Sequence, residues 1–164
     1  MVIEKIVKML NKQINQEFYS SYLYLQMAAF FEEEKLNGFA AWMKIQSHEE
    51  GKHAMKLYEY VLQANAKVEL QKIDAPKNKW KDTLDVFHDT YKHEKQITGY
   101  INEIVDTALT EKDFATFSFL QWFVTEQVEE ESTALLILDK IKLIGDNKTG
   151  LFFLDREMAG RARA

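Results

Sequence analysis

Several features are scarce or absent in this chain of 164 residues, and each absence narrows the possibilities. Cysteine is absent, which excludes a disulfide framework, a thiolate metal site and a cysteine nucleophile. One proline and six glycines leave few interruptions, which favours long helices. No apolar run approaches the length of a transmembrane helix, and the N-terminus begins with an amphipathic pattern unlike a signal peptide. We therefore expect a cytoplasmic protein without a membrane partner.

The overall composition is that of a globular protein. Hydrophobic residues make up 46% of the chain and charged residues 29%, and the length suits one domain, residues 1–164. The net charge of −5 argues against nucleic acid as the main partner.

Helical periodicity dominates the pattern of apolar residues. Spacings of three and four recur in four long segments, and they predict helices over residues 3–33, 38–63, 83–109 and 113–143. Thr110 and Asp113 are candidate caps for the fourth helix. A shorter helix over 149–158 is predicted after the break at residues 145–147.

The lengths of the connections predict how these helices are arranged. The joins near residues 35–37 and 110–112 are short, so the helices that they link should be antiparallel neighbours. The join over residues 64–82 could reach roughly 60 Å when extended, whereas a helix of 26 residues is about 39 Å long. The second and third helices would then be parallel. The fold class expected is all-α: an up-down-down-up four-helix bundle over residues 3–143, with a long crossover loop and a short C-terminal fifth helix.

Acidic residues interrupt the apolar stripe of every long helix. A single such acid is most often an edge residue that reaches solvent, but four acids that converge at similar depth would be costly to bury and would repel one another. Divalent metal ions remove both costs. Carboxylates with one imidazole suit iron, manganese or zinc, and four carboxylates can neutralise two divalent ions. The pattern therefore predicts a dinuclear site whose candidate residues are Glu17, Glu50, His53, Glu94, Gln127 and Glu130.

The other histidines do not support a second site. His48 and His53 are five residues apart, whereas the zinc-protease helix needs two histidines at a spacing of four. Neither His88 nor His93 has an acidic partner at helical spacing that would define a site, and we expect both at the surface.

The candidate residues resemble those of the ferritin family, and the resemblance covers the whole chain. It includes the pair of Glu17 with Tyr24, the motifs Glu50-x-x-His53 and Gln127-x-x-Glu130, and Glu94. The long loop and the fifth helix belong to it as well. Related carboxylate proteins carry Glu-x-x-His on two helices, whereas the last helix here carries Gln127-x-x-Glu130. Lys52 stands where bacterioferritins have a haem-ligating methionine. The chain is thus similar to non-haem bacterial or archaeal ferritins, and no haem is expected.

The resemblance implies roles for these residues. One iron would be held by Glu17, Glu50 and His53, and the other by Glu50, Glu94 and Glu130, with Glu50 as the bridge. Gln127 would be a hydrogen-bonding neighbour of the site, and Tyr24 would hydrogen-bond a ligand or donate an electron.

Ferritins of this type also imply a third iron site. Its candidates are Glu49, Glu126 and Glu129, with Glu130 shared. The alternative is that these acids form part of a solvated acidic surface.

The function that the resemblance implies is iron storage with ferroxidase activity. Ferrous iron would be oxidised by dioxygen or hydrogen peroxide, and the ferric product would be stored inside a hollow homo-oligomer of about 24 subunits. The main alternative is a small di-iron oxidase or peroxide reductase that stores nothing. A DNA-protecting mini-ferritin and a metal-free structural bundle are two further hypotheses.

Overall fold

The computed structural model describes residues 3–163, and α-helices dominate this part of the chain. Each long helix begins and ends within one residue of the predicted bounds, which confirms the all-α class. The elements are α1 (Glu4–Glu33), α2 (Asn37–Gln63), α3 (Thr83–Thr110), α4 (Phe114–Ile144), α5 (Lys148–Met158) and a 3-10 turn (Ala159–Arg163).

Polar side chains define where the later helices start. Asp113 accepts a hydrogen bond of 3.1 Å from the backbone N–H of Thr116 and caps α4, while Asn147 accepts one of 3.0 Å from Gly150 and caps α5. Such caps satisfy backbone donors that have no partner in the first helical turn. Thr110, the other candidate cap, is instead the last residue of α3, so that part of the prediction is wrong.

The two tight connections reverse the chain direction. Lys35 and Lys112 each adopt a positive φ, of 61° and 58°, which ends the preceding helix as a left-handed residue commonly does. Three residues then suffice to join α1 to α2 and α3 to α4.

Two apolar clusters show the direction of each helix. The first cluster contains the C-terminal half of α1, the N-terminal parts of α2 and α3, and the C-terminal half of α4. The second contains the opposite halves of the same four helices. Helices α2 and α3 are therefore parallel, and the up-down-down-up order is as predicted.

The crossover loop, residues 64–82, lies along α1. The Asn11 side chain donates a hydrogen bond of 3.0 Å to the carbonyl of Lys67 and accepts one of 2.8 Å from the N–H of Glu69. The Asn11 amide thus bonds a backbone carbonyl and a backbone N–H of the loop, and fixes the loop against α1. Near the other end of the loop, Trp80 packs edge-on against Phe30 at 5.8 Å between ring centroids.

Helix α5 packs against the start of α2. Leu154 and Met158 are buried, and the N–H of Phe39 donates a hydrogen bond of 3.0 Å to Asp155. The opposite face of α5 exposes Phe152 and Phe153, which are 58% and 64% accessible. One face of α5 is therefore packed on the bundle, and a second apolar face is exposed to solvent in the single chain.

Candidate metal centre

A layer of polar side chains separates the two apolar clusters. Each of the four long helices contributes polar side chains from its middle. Apolar residues of one cluster precede this position along the helix, and apolar residues of the other cluster follow it. All the predicted ligands of the dinuclear site are at most 9% exposed: Glu17, Glu50, His53, Glu94, Gln127 and Glu130.

These side chains form two ligand groups that share Glu50. In each group the atoms that could bind a metal lie within 4.8 Å of one another. The groups are Glu17 with Glu50 and His53, and Glu50 with Glu94 and Glu130. The structure thus brings together both ligand sets that the resemblance implies.

Neutral donors around the layer hold the carboxylates in place. Gln46 donates hydrogen bonds of 2.9 Å to Glu50 and 2.8 Å to Glu130. Tyr24 donates its hydroxyl hydrogen to Oε1 of Glu94, and Gln127 donates to Oε2 of Glu94 at 3.2 Å. The positions of Tyr24 and Gln127 agree with the neighbouring roles implied for them.

One carboxylate oxygen in the centre lacks a hydrogen-bond partner in the part of the chain that the structure describes. Oε1 of Glu17 accepts a hydrogen bond of 2.8 Å from Gln13, but Oε2 is buried without a hydrogen bond among the described residues. A buried oxygen without a donor is costly. A cation between Glu17 and Glu50 would remove that cost, so the residues fit a metal ion.

Burial and mutual repulsion raise the pKa values of the ligand carboxyls. Burial and then the charge of Glu50 raise the pKa of Glu17 from 4.5 to about 8. Burial raises the pKa of Glu94 to about 7, and burial with the charge of Glu94 does the same for Glu130. The pKa of Glu50 is also raised, first by burial and then by Glu94 and Glu130. Carboxyls with raised pKa values hold their protons more firmly, and metal ions that bind there would replace those protons.

The candidates for a third site are not gathered together. Glu126 is half-buried and lies in a group with His53 and Glu130, whose potential ligand atoms are within 4.8 Å of one another. Glu129 is exposed. Glu49 instead forms an ion pair with Arg161 of the C-terminal turn.

The prediction for His93 is wrong. Its side chain is buried, and its Nε2 lies 2.7 Å from the hydroxyl of Ser20. Burial lowers its pKa from 6.5 to about 4, so it is a neutral core histidine against the edge of Tyr24. His48 and His88 are exposed, and the surface assignment of His88 is confirmed.

Sequence reasoning missed two glutamines that bond ligand residues of the layer and one arginine that contacts the second of these glutamines. Gln13 and Gln46 each lie four residues before a ligand glutamate, and that spacing places both side chains on one helix face. The spacing was a usable signal. Arg161 had no comparable signal, because its position depends on how the C-terminal turn folds back onto α2.

Comparisons with known proteins agree with this geometry. The family model for the ferritin-like domain matches residues 7–144, which contain α1 to α4 apart from the first few residues. This chain belongs to the ferritin family. The bacterial non-heme ferritin of Campylobacter jejuni is 46% identical over 156 residues, covering 95% of this chain and 93% of that protein. Its counterpart from Bacteroides fragilis is 44% identical, covering 98% and 100%.

Solved structures agree with the ferritin fold. A crystal structure described as a novel open pore ferritin from the hyperthermophilic archaeon Archaeoglobus fulgidus matches with a TM-score of 0.96 and 47% identity, covering 97% of this chain and 98% of that one. Helix α5 and the turn after it lie beyond the residues that the family model matches. Among residues 3–163, the helices lack the combination of length and apolar character that crossing a membrane requires.

Proposed function

We propose that this ferritin stores iron and that its buried polar layer is a ferroxidase centre. Residues 1–164 would form one ferritin-like domain. The observation that carries the proposal is the pair of ligand groups sharing Glu50. Each group could hold one ferrous ion, and Glu50, which belongs to both groups, would bring two one-electron donors side by side.

The reaction needs two electrons, and two ferrous ions supply them. Each ferrous ion loses one electron, and dioxygen takes up both electrons with two protons to become hydrogen peroxide. With hydrogen peroxide as the oxidant, the two electrons and two protons give two molecules of water. The carboxyls release protons when iron binds, because a ligand carboxylate must be deprotonated. Tyr24 and Gln127, which hydrogen-bond Glu94, would keep that ligand oriented during the oxidation.

Storage requires an assembly, and the single chain exposes surfaces that fit one. Phe152 and Phe153 of α5 are exposed beside each other, with ring centroids 6.1 Å apart. Leu143 is 88% accessible, and Leu70 of the crossover loop is 69% accessible. Symmetry-related copies that cover these residues would form a closed homo-oligomer, for which 24 subunits is our proposal. This shell would hold the ferric product. We propose that it is located in the cytoplasm and contains no haem.

The alternative of a small di-iron oxidase or peroxide reductase stays open for one reason. The ligand groups lie wholly within one bundle, so the chemistry does not need a shell. The same observation argues against a mini-ferritin, whose metal site lies between subunits.

Two measurements test the proposal. Glu50→Ala should abolish rapid aerobic oxidation of ferrous iron, followed by absorbance, because it removes a ligand from both groups; Glu33→Gln, an exposed change on α1, is the control. Light scattering with iron analysis should show a shell of about 24 subunits that holds many irons per chain. An unchanged initial rate in Glu50→Ala would refute the centre. A monomer or dimer with two irons per chain would refute storage and favour the small enzyme.

A further inference from the structure

The C-terminal turn places a cation beside the metal centre. Arg161 forms an ion pair with Glu49 and donates a hydrogen bond of 2.9 Å to Oε1 of Gln46. Its guanidinium carbon also lies 4.6 Å from the ring centroid of Trp42. A planar guanidinium with five donors can bond the carboxylate and the amide and stack on the indole ring at the same time, which a lysine ammonium does less well.

The docking of α5 fixes this position. Leu154 and Met158 are buried, and Asp155 accepts the hydrogen bond from the N–H of Phe39 at the start of α2. The 3-10 turn that follows returns along α2, which brings Arg161 to Gln46 and Glu49. Arg161 therefore belongs to a segment that is packed against α2.

Gln46 connects Arg161 to the ligand layer. Gln46 is 1% exposed, and its amide group donates to both Glu50 and Glu130. Since a guanidinium can only donate hydrogen bonds, it binds the oxygen end of the Gln46 amide and leaves the NH₂ end for the two carboxylates. The contact with Arg161 thus sets the orientation of a group that touches two ligand residues.

The ion pair with Arg161 also limits how readily the Glu49 carboxylate can bind a metal ion. Glu49 lies one residue before Glu50 and borders a surface cleft that Glu126 also lines, while Glu126 itself groups with His53 and Glu130. His53 is already a ligand of the first dinuclear group, so a further divalent cation would bind Glu126 and the shared carboxylate of Glu130. Such a cation would compete with the guanidinium for Glu49, whose Oε2 is paired with Arg161.

We propose that Arg161 is a positioning residue that acts as the built-in counter-cation of Glu49, so that a third divalent cation beside the dinuclear centre competes with the C-terminal turn. Removal of Arg161 frees the carboxylate of Glu49 and tightens binding of the third cation. This inference rests on the proposed function, because it assumes that two cations already occupy the shared ligand groups.

Zinc titration of the metal-free, assembled protein tests the competition without any redox step. The native chain should bind two Zn²⁺ tightly and a third more weakly. Arg161→Gln should tighten the third by about fivefold, which is the equilibrium equivalent of a partly exposed ion pair. Arg161→Lys keeps the charge but has fewer donors, so its third-site affinity should stay closer to that of the native chain than the affinity of Arg161→Gln does. Arg156→Gln, an exposed change on α5, should match the native chain. In a Glu49→Gln background, Arg161→Gln should have no effect.

Fluorescence gives a second measurement that keeps Arg161 in place. In a chain with Trp80→Phe and Trp122→Phe, Trp42 is the remaining tryptophan, and its emission should change with the third equivalent of Zn²⁺, when the guanidinium leaves its ring. A third-site affinity unchanged by Arg161→Gln, or a Trp42 signal that does not follow the third equivalent, would overturn the inference and leave the dinuclear centre standing. A native chain that fails to bind two Zn²⁺ tightly would overturn the proposed function itself.

Discussion

Replacing Glu17 by glutamine should stabilise the metal-free protein at alkaline pH. Oε1 of Glu17 accepts a hydrogen bond from Gln13, while Oε2 has no hydrogen-bond partner among residues 3–163. The charge of Glu50 acts on the same carboxyl. Glutamine keeps an oxygen for Gln13 and places an amide donor near Glu50. The change removes a buried negative charge with almost no change in side-chain size.

The expected magnitude follows from the raised pKa of Glu17. Burial and the charge of Glu50 raise this pKa from 4.5 to about 8, so the folded state retains a proton that the unfolded state has lost. The contribution of Glu17 to the unfolding free energy is therefore most favourable below pH 4.5 and falls as pH rises to about 8. At about 1.36 kcal/mol per pH unit the total loss is about 5 kcal/mol, of which about 4 kcal/mol falls between pH 5 and pH 9. Glu17→Gln avoids this loss.

Chemical denaturation in the presence of a chelator measures the difference. Native protein and Glu17→Gln should be compared at pH 5 and pH 9, with Glu33→Gln as the control because Glu33 is an exposed glutamate of the same helix. The advantage of Glu17→Gln should be about 4 kcal/mol larger at pH 9 than at pH 5. An equal difference at both pH values would refute the assignment of a buried, proton-retaining carboxyl to Glu17.

Three further outcomes are expected. Zinc should bind the dinuclear centre more tightly at pH 8 than at pH 6 and release protons, since two of the ligand carboxyls have pKa values of about 7; calorimetry in two buffers would show this, and pH-independent binding would contradict it. Tyr24→Phe removes the hydrogen bond to Glu94 and should slow iron oxidation about tenfold; stopped-flow absorbance with an unchanged rate would exclude that role. Gly38→Ala should displace α5 and the assembly, because a Cβ at this position would lie 1.7 Å from the carbonyl oxygen of Asp155; light scattering tests this against Gly99→Ala, which meets nothing within 4 Å, and an intact shell would contradict it.

Sequence periodicity was sufficient to predict the helices and the acidic layer. Apolar spacing shows which face of a helix is buried, and an acid on that face, such as Glu94, is conspicuous for that reason. The length of the 64–82 connection was enough to predict that α2 and α3 are parallel. These features depend on local spacing and chain reach, both of which can be read directly from the sequence.

The contacts around the layer were harder to predict because they depend on packing between distant segments. His93 lies one turn after Asp89 on its own helix, yet its hydrogen-bond partner in the folded chain is Ser20 of α1. Glu49 and Glu129 are both next to or near ligand residues in sequence, but Glu49 pairs with Arg161, more than a hundred residues later, and Glu129 is exposed. Spacing along one helix contains no information about such partners.

Because the apolar core is divided into two clusters, the packing at one end of the bundle is independent of the packing at the other end. Leu154 and Met158 of α5 pack into the cluster that contains the C-terminal half of α1, while the other cluster is built from the bundle and the residues packed on it. Among residues 3–163 the two clusters have no residue in common, so the effects on stability of substitutions in different clusters should add. Evolution or design can therefore reshape the end that carries α5, and with it the proposed contacts between subunits, while leaving the packing at the opposite end unchanged.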